Sequence, residues 1–181
     1  MSRLSIPTLD DAPEASRTTL DAIQKQLGAV PNLFRLIAIS PAALQGFTGF
    51  QGALSKTLDV KTRERIALAV AQVNGCQYCL SAHTYLALNL AKLSAEEIAL
   101  NRQGASHDGK AHAAVNFAAK VARERGQVTD ADVATVRGAG FSDAQIVEIV
   151  ALVAENSFTN YLNEVAKTDI DFPVTSLAQA A

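Results

Sequence analysis

Apolar residues recur along most of the chain at the three- and four-residue intervals of an α-helix, whereas the alternation typical of strands is scarce. The first such segment predicts a helix from about Ala15 to Leu27, with Leu20, Ile23 and Leu27 on its inner face. Gly28 follows directly, as expected for a helix stop.

Start signals for further helices follow at helical intervals. Proline is favoured at the first position of a helix, and a Ser, Thr or Asp cap predicts where one begins. We therefore expect a compact all-α bundle of about seven to nine helices in one domain, 1–181, with 1–30 as an N-terminal extension and first helix. The signals are Pro31, Pro41 behind Ser40, the capping box Ser94-Ala-Glu-Glu97, Asp108 before a helix ending near Gly126, Thr129 with Asp132, and Ser142 with Gln145 before a last helix through Lys167.

Residues 60–92 predict a helical hairpin. The segment 61–73 carries Ile66, Val70 and Val73 as an inner stripe, and Asn74-Gly75 then breaks it. A new helix starts near Cys76 and continues to about residue 90. The two helices should pack side by side about the turn between them.

Composition and charge limit the function classes. Of the 181 residues, 49% are hydrophobic and 19% charged, which is ordinary for a globular protein, and the net charge of -2 gives no case for nucleic acid or an anionic membrane. The longest apolar runs are too short to span a bilayer. The first residues lack the apolar core of a secretory signal, so we expect a cytoplasmic protein with reduced thiols.

The chemistry-bearing residues cluster at the start of the second hairpin helix. Cys76 and Cys79 are three residues apart and His83 follows four residues later, so all three project from one helix face. Free amides and the helix dipole favour a thiolate at Cys76, whereas the nearby imidazole favours one at Cys79. The spacing itself leaves open which cysteine is the nucleophile.

Glu64 completes this group from the preceding helix. It lies ten or eleven residues before the Asn74-Gly75 turn, and His83 lies about eight residues after it. In an antiparallel hairpin the two side chains are at similar depth, where a carboxylate orients an imidazole and raises its basicity. The four residues therefore supply a nucleophile, a resolving thiol, a base and an orienting group.

Other interpretations of the cysteine pair compete with this one. Both cysteines could be small core residues, or zinc ligands with His83 and one of Glu64, His107 or His112. Three ligands on one helix are unusual for structural zinc, and we interpret His107 and His112 as exposed. A redox-sensing module and lactone or carbon–carbon chemistry in the same pocket are further alternatives. A thioredoxin fold is not expected, because the preceding segment is helical.

The spacing of Glu64, Cys76, Cys79 and His83 resembles that of the alkylhydroperoxidase-D-like family, within the carboxymuconolactone decarboxylase superfamily. The motif Gly75-Cys-Gln-Tyr-Cys-Leu-Ser-Ala-His83 resembles the signature of its peroxidase-related members, and the similarity extends to Thr159-Asn-Tyr-Leu-Asn163 and Thr168-Asp-Ile-Asp-Phe-Pro173. The namesake enzyme has a histidine where this chain has Tyr78.

The resemblance implies a catalytic mechanism as well as a fold. It implies an antioxidant peroxidase without cofactor or metal, in which Cys79 attacks the hydroperoxide, Cys76 resolves the product to a disulfide, and His83 and Glu64 relay the proton. A dithiol protein would be the reductant, and the family implies a homo-oligomer of trimers or hexamers. The decarboxylase branch lacks the cysteine pair, so the lactone reaction is not expected.

Overall fold

A computed structural model describes residues 2–177, and this part of the chain is all-helical, as predicted. It contains nine helices, which falls within the predicted range. They are α1 (Glu14–Leu27), α2 (Asn32–Ile37), α3 (Pro41–Leu54), α4 (Val60–Asn74), α5 (Gln77–Asn89), α6 (Ala95–Arg102), α7 (Gly109–Arg123), α8 (Asp130–Gly138) and α9 (Asp143–Ala166).

Side-chain caps begin most of these helices where the sequence predicted them. Ser40, Ser94 and Asp108 each accept a hydrogen bond from the backbone amide three residues ahead. Complete capping boxes form at the starts of α8 and α9, at Thr129 and Ser142. The boundaries of the helices therefore follow from local backbone chemistry.

The predicted capping box at α6 is only half formed. The Ser94 hydroxyl accepts from the Glu97 amide, but the Glu97 carboxylate does not return to the Ser94 backbone. It is buried and accepts instead from Arg65 of α4 at 3.0 Å and from the His107 amide at 3.1 Å. The prediction was wrong because an ion pair to another helix outweighs a local cap that solvent can replace.

The predicted inner face of α1 is correct except at its end. Leu20 and Ile23 are buried in a cluster with residues of α2 and α3, whereas Leu27 is 51% exposed. Helix α1 ends at Leu27, and the left-handed conformation of Gly28 then turns the chain away. Leu27 therefore lies beyond the surface against which α1 packs.

Helix α4 is the central helix and contacts α5, α6, α7 and α9. Its residues 66–71 are all buried, so it has no solvent face along its middle. Gly75 ends it with φ 68°, a left-handed conformation that glycine adopts without strain. The chain then reverses into α5, as predicted, and the beginning of α5 is placed between α4 and α9.

One cluster of buried residues from α4, α7 and α9 forms the larger core, and a second contains both cysteines. In residues 2–177, no helix combines the length and apolar character needed to cross a membrane.

Candidate active site

The two cysteines lie at the first turn of α5. Cys76 is the N-cap residue, and its Sγ accepts a hydrogen bond from the Cys79 backbone amide at 3.2 Å. The two Sγ atoms are 2.6 Å apart, and both residues are free thiols with 0% and 3% of their surface exposed. A disulfide between them needs a movement of only about half an ångström.

His83 and Glu64 are in direct contact, as the hairpin register predicted. His83 Nδ1 and Glu64 Oε2 are 2.9 Å apart, and the side chains are 22% and 12% exposed. An ionised carboxylate at this distance accepts from Nδ1–H, which leaves Nε2 as the nitrogen available for proton exchange. The contact therefore fixes the tautomer of the imidazole.

Two asparagines of α9 form the opposite wall of the site. Asn163 Nδ2 donates to Cys79 Sγ at 3.3 Å, and Asn160 also interacts with this sulfur. Asn160 is held by Asn74 at the end of α4, whose Nδ2 donates to Asn160 Oδ1 at 2.9 Å. Amide donors directed at a sulfur favour its thiolate form.

These contacts distinguish the two thiols. Burial by itself raises the pKa of Cys79, but hydrogen bonds from Cys76 and Asn163, the charge of His83 and the nearby amide of Asn160 lower it to about 7. The pKa of Cys76 is raised, first because its proton is held in the bond to Cys79 and then by burial. Of the two opposing sequence arguments, the geometry supports a thiolate at Cys79.

A second carboxyl group, Glu155 of α9, lies close enough to His83 for their charges to interact. Burial raises the pKa of Glu155, and Gln51 of α3 donates to its Oε1 at 3.2 Å. For His83, burial lowers the pKa, but the charge and hydrogen bond of Glu64 raise it above its ordinary value. The Glu64 carboxylate therefore favours the protonated form of the imidazole beside Cys79.

Tyr78, between the cysteines, is buried, and its hydroxyl bonds to groups outside α5. Its hydroxyl donates to Asp171 Oδ1 at 2.7 Å and accepts from the Leu33 amide at 3.1 Å. Its ring meets Phe172 edge to face. Tyr78 is thus a packing residue, and it ties residues 171–172 to the beginning of α5.

Comparison with known proteins places this site in a family. Residues 41–124, from α3 through α7, match the carboxymuconolactone decarboxylase family. The chain is similar to an uncharacterized peroxidase-related protein with the alkylhydroperoxidase AhpD core from Ralstonia eutropha JMP134, at 29% identity and TM-score 0.82, over 94% of this chain and 92% of that one. Residues 41–124 are therefore similar to the carboxymuconolactone decarboxylase family, and the fold of the chain is AhpD-like.

Two further structures extend this comparison. An uncharacterized peroxidase-related protein from Silicibacter sp. TM1040 shares 28% identity at TM-score 0.81, over 93% of this chain and 91% of that one. The debrominase Bmp8, in complex with 2,3,4-tribromopyrrole, shares the fold at TM-score 0.79 and 18% identity, over 94% of each chain. The comparison with curated proteins gave no match.

In this AhpD-like protein the four residues singled out from the sequence lie together, whereas the other two histidines do not join them. His107 and His112 are exposed, as predicted. Within the described range, no group of three or more His, Cys, Asp or Glu side chains is arranged to hold a metal ion.

Sequence reasoning gave no role to Asn160, Asn163 or Glu155. The first two belong to the segment 159–163 that resembles the family, but the contact from Cys79 to Asn163 joins residues 84 positions apart. A signal was present in the helical pattern, because polar residues at 156, 159, 160 and 163 follow the inner face of α9. Buried polar side chains on such a face indicate a site rather than a core.

Proposed function

We propose that this AhpD-like protein reduces hydroperoxides through the Cys76–Cys79 pair. The observation that carries the proposal is the arrangement around Cys79, whose Sγ is 2.6 Å from that of Cys76 and accepts from Asn163 at 3.3 Å, with His83 nearby. These neighbours lower the pKa of the buried Cys79 thiol to about 7. A thiolate at neutral pH, next to a resolving thiol and a proton donor, is the set of groups that peroxide reduction needs.

The first step uses Cys79 and His83. The Cys79 thiolate attacks the terminal oxygen of the hydroperoxide, so that an S–O bond forms and the O–O bond breaks. Sulfur loses two electrons to the peroxide and becomes a sulfenic acid. The leaving alkoxide takes the proton held by His83, which is oriented by Glu64 at 2.9 Å, and departs as an alcohol.

Cys76 completes the cycle. Its sulfur, 2.6 Å from that of Cys79, attacks the sulfenic acid, an S–S bond forms, and the hydroxide leaves with the proton of Cys76 as water. An external dithiol protein then resets the pair by thiol–disulfide exchange. This cycle starts from reduced thiols, which agrees with the cytoplasmic location expected from the sequence.

We also propose that copies of the chain assemble, as the family resemblance implies, into trimers or hexamers. An apolar stripe on the outer face of α9 supports this assembly, since exposed patches of this kind mark interfaces. Light scattering coupled to size exclusion tests it, and a monomer at micromolar concentration would contradict it. The stripe consists of Val147, Val150, Phe158, Tyr161 and Val165, between 42% and 67% exposed.

The experiment that tests the function mixes reduced protein with one equivalent of an organic hydroperoxide under chelator, and follows free thiols and peroxide together. We expect two thiols to disappear for each peroxide. Cys79→Ser should abolish the reaction, whereas Cys76→Ser should still consume one peroxide and stop at the sulfenic acid. Undiminished peroxide consumption by Cys79→Ser would contradict the assignment.

A bromopyrrole serves as a second electrophile in the same assay, because the debrominase shares this fold. Release of bromide, with thiols that persist in hydroperoxide, would replace peroxide reduction with dehalogenation as the function of the cysteine pair. We expect the opposite pattern, because the resolving thiol is already in contact with the nucleophile.

A further inference from the structure

Two buried polar atoms beside Cys79 lack a hydrogen-bond partner within the described residues: Asn160 Nδ2 and Asn163 Oδ1. Their residues are 0% and 2% exposed. Leaving such an atom unpaired destabilises the folded state, so folded proteins rarely tolerate one without a reason. Here a donor and an acceptor are unpaired within the same site.

In each of these two side-chain amides the second polar atom has a hydrogen-bond partner, which determines which atom remains unpaired. Asn160 Oδ1 accepts from Asn74 at 2.9 Å, so its Nδ2 is left on the side that interacts with Cys79. Asn163 Nδ2 donates to Cys79 Sγ at 3.3 Å, so its Oδ1 is the unpaired atom. The sulfur is therefore flanked by one unused donor and one unused acceptor.

We propose that Asn160 and Asn163 bind the –O–O–H group of the substrate beside the Cys79 sulfur, an inference that rests on the proposed function. A hydroperoxide carries one O–H donor on its terminal oxygen and an acceptor on the oxygen bonded to carbon. Asn163 Oδ1 accepts from the terminal O–H, and Asn160 Nδ2 donates to the other oxygen.

This arrangement also assists the chemical step. When the S–O bond forms and the O–O bond breaks, negative charge develops on the oxygen that leaves as alkoxide. A fixed amide donor at that oxygen is worth more in the transition state than in the bound substrate. Asn160 therefore stabilises the leaving oxygen until the proton from His83 reaches it.

The test compares two reagents on the same thiol. Iodoacetamide alkylates the Cys79 thiolate without any peroxide group to recognise, whereas tert-butyl hydroperoxide needs the proposed site. Asn160→Leu keeps roughly the size of the side chain and removes Nδ2. We expect this substitution to lower the ratio of the oxidation rate to the alkylation rate by about tenfold to a hundredfold.

Asn74→Ala is the matched control, because it removes the support of Asn160 and leaves Nδ2 present. We expect it to lower the ratio of oxidation to alkylation by less than Asn160→Leu does. If Asn160→Leu slows both reagents by the same factor while wild type reacts with hydroperoxide, the binding role is overturned and the proposed function stands. If wild-type thiols persist in hydroperoxide, the proposed function itself fails.

A second measurement does not depend on the folding of a variant at Asn160. In Cys76→Ser, hydroperoxide should leave Cys79 as a sulfenic acid, whose oxygen is the former terminal oxygen of the substrate. A crystal structure of that adduct should show this oxygen within hydrogen-bonding distance of Asn160 or Asn163. An oxygen directed away from both amides would overturn the proposal, with a bound water then pairing the two atoms.

Discussion

The two halves of α9 use the same inner face in opposite ways. In the first half, Ile146, Ile149 and Leu152 are buried against apolar residues of α4 and α7. In the second half, four polar side chains are buried on that face, and two of them reach the Cys79 sulfur. The four are Asn156, Thr159, Asn160 and Asn163.

This difference shows that the first half of α9 mainly stabilises the fold, whereas the second half mainly supplies polar groups to the site. Burying apolar surface stabilises the fold by about 25 cal/mol per Å², whereas burying an amide stabilises it only if every polar atom finds a partner. The second half contains unpaired atoms and so contributes less to stability than its burial suggests. Substitutions in the two halves should therefore affect different measurements.

The largest expected effect on stability is in the apolar half. Leu152→Ala removes a side chain that is 3% exposed in the larger core, and the free energy of unfolding should fall by about 2–5 kcal/mol. Denaturant titration measures this loss. The rate of Cys79 oxidation in the folded protein should stay the same, and a large rate change would mean that the two halves are coupled.

In the polar half, Asn163→Leu should change reactivity. Removing the donor to Cys79 Sγ raises the pKa of that thiol, so oxidation at pH 7 should slow about threefold to tenfold. Stopped-flow oxidation with a hydroperoxide measures the rate, and ultraviolet absorbance follows the thiolate. An unchanged thiolate titration would remove Asn163 from the groups that lower the pKa.

The pH dependence of the oxidation rate in the wild-type protein also tests whether the pKa of Cys79 is lowered. With the pKa of Cys79 lowered to about 7, the thiolate is lost as the pH falls through that value. The oxidation rate should therefore drop about tenfold per pH unit below it and level off above it. A midpoint near the ordinary pKa of a cysteine would show that the amides do not act on the thiol.

Glu64→Gln tests a group that reaches Cys79 only through His83. Losing the carboxylate charge lowers the pKa of His83, so less imidazolium supports the thiolate at neutral pH. We expect a fall of about twofold to fivefold in the oxidation rate at pH 7, since the amides of α9 remain. The pH titration of the His83 ring, followed by NMR, should shift to lower pH than in wild type.

The smallest effect is expected at Asn156, which is buried in the polar half but contacts neither cysteine. Its Nδ2 donates to the Leu152 carbonyl of the same helix at 2.8 Å. Asn156→Leu should change the free energy of unfolding by less than about 1 kcal/mol and leave the oxidation rate within about twofold. A large loss of activity there would extend the active site along α9.

The sequence predicted features that depend on neighbouring residues better than those that depend on distant ones. Helix starts at Pro41, Thr129 and Ser142 follow from local caps. The contact between Glu64 and His83 follows from counting residues about one glycine turn. In both cases the relevant geometry is contained in a single hairpin or a single helix turn.

Features that depend on distant residues were not predicted. The Glu97 carboxylate is drawn away from the α6 cap by Arg65, 32 positions away. The exposure of Leu27 depends on which part of α1 packs against its neighbours, and the roles of Asn160 and Asn163 depend on how α9 packs against α5. Helical periodicity identifies an inner face but not the helix that it meets.

The sulfur of Cys76 also caps the N-terminus of α5, because it accepts a hydrogen bond from the Cys79 amide in the first turn. A sulfur in a disulfide is a poorer acceptor than one in a thiol or thiolate. Oxidation therefore weakens the bond from the Cys79 amide and loosens the helix start between two well-packed neighbours. Backbone hydrogen exchange at Cys79 would rise on oxidation and fall on reduction, so the dynamics of a single helix turn would report the redox state of the whole protein.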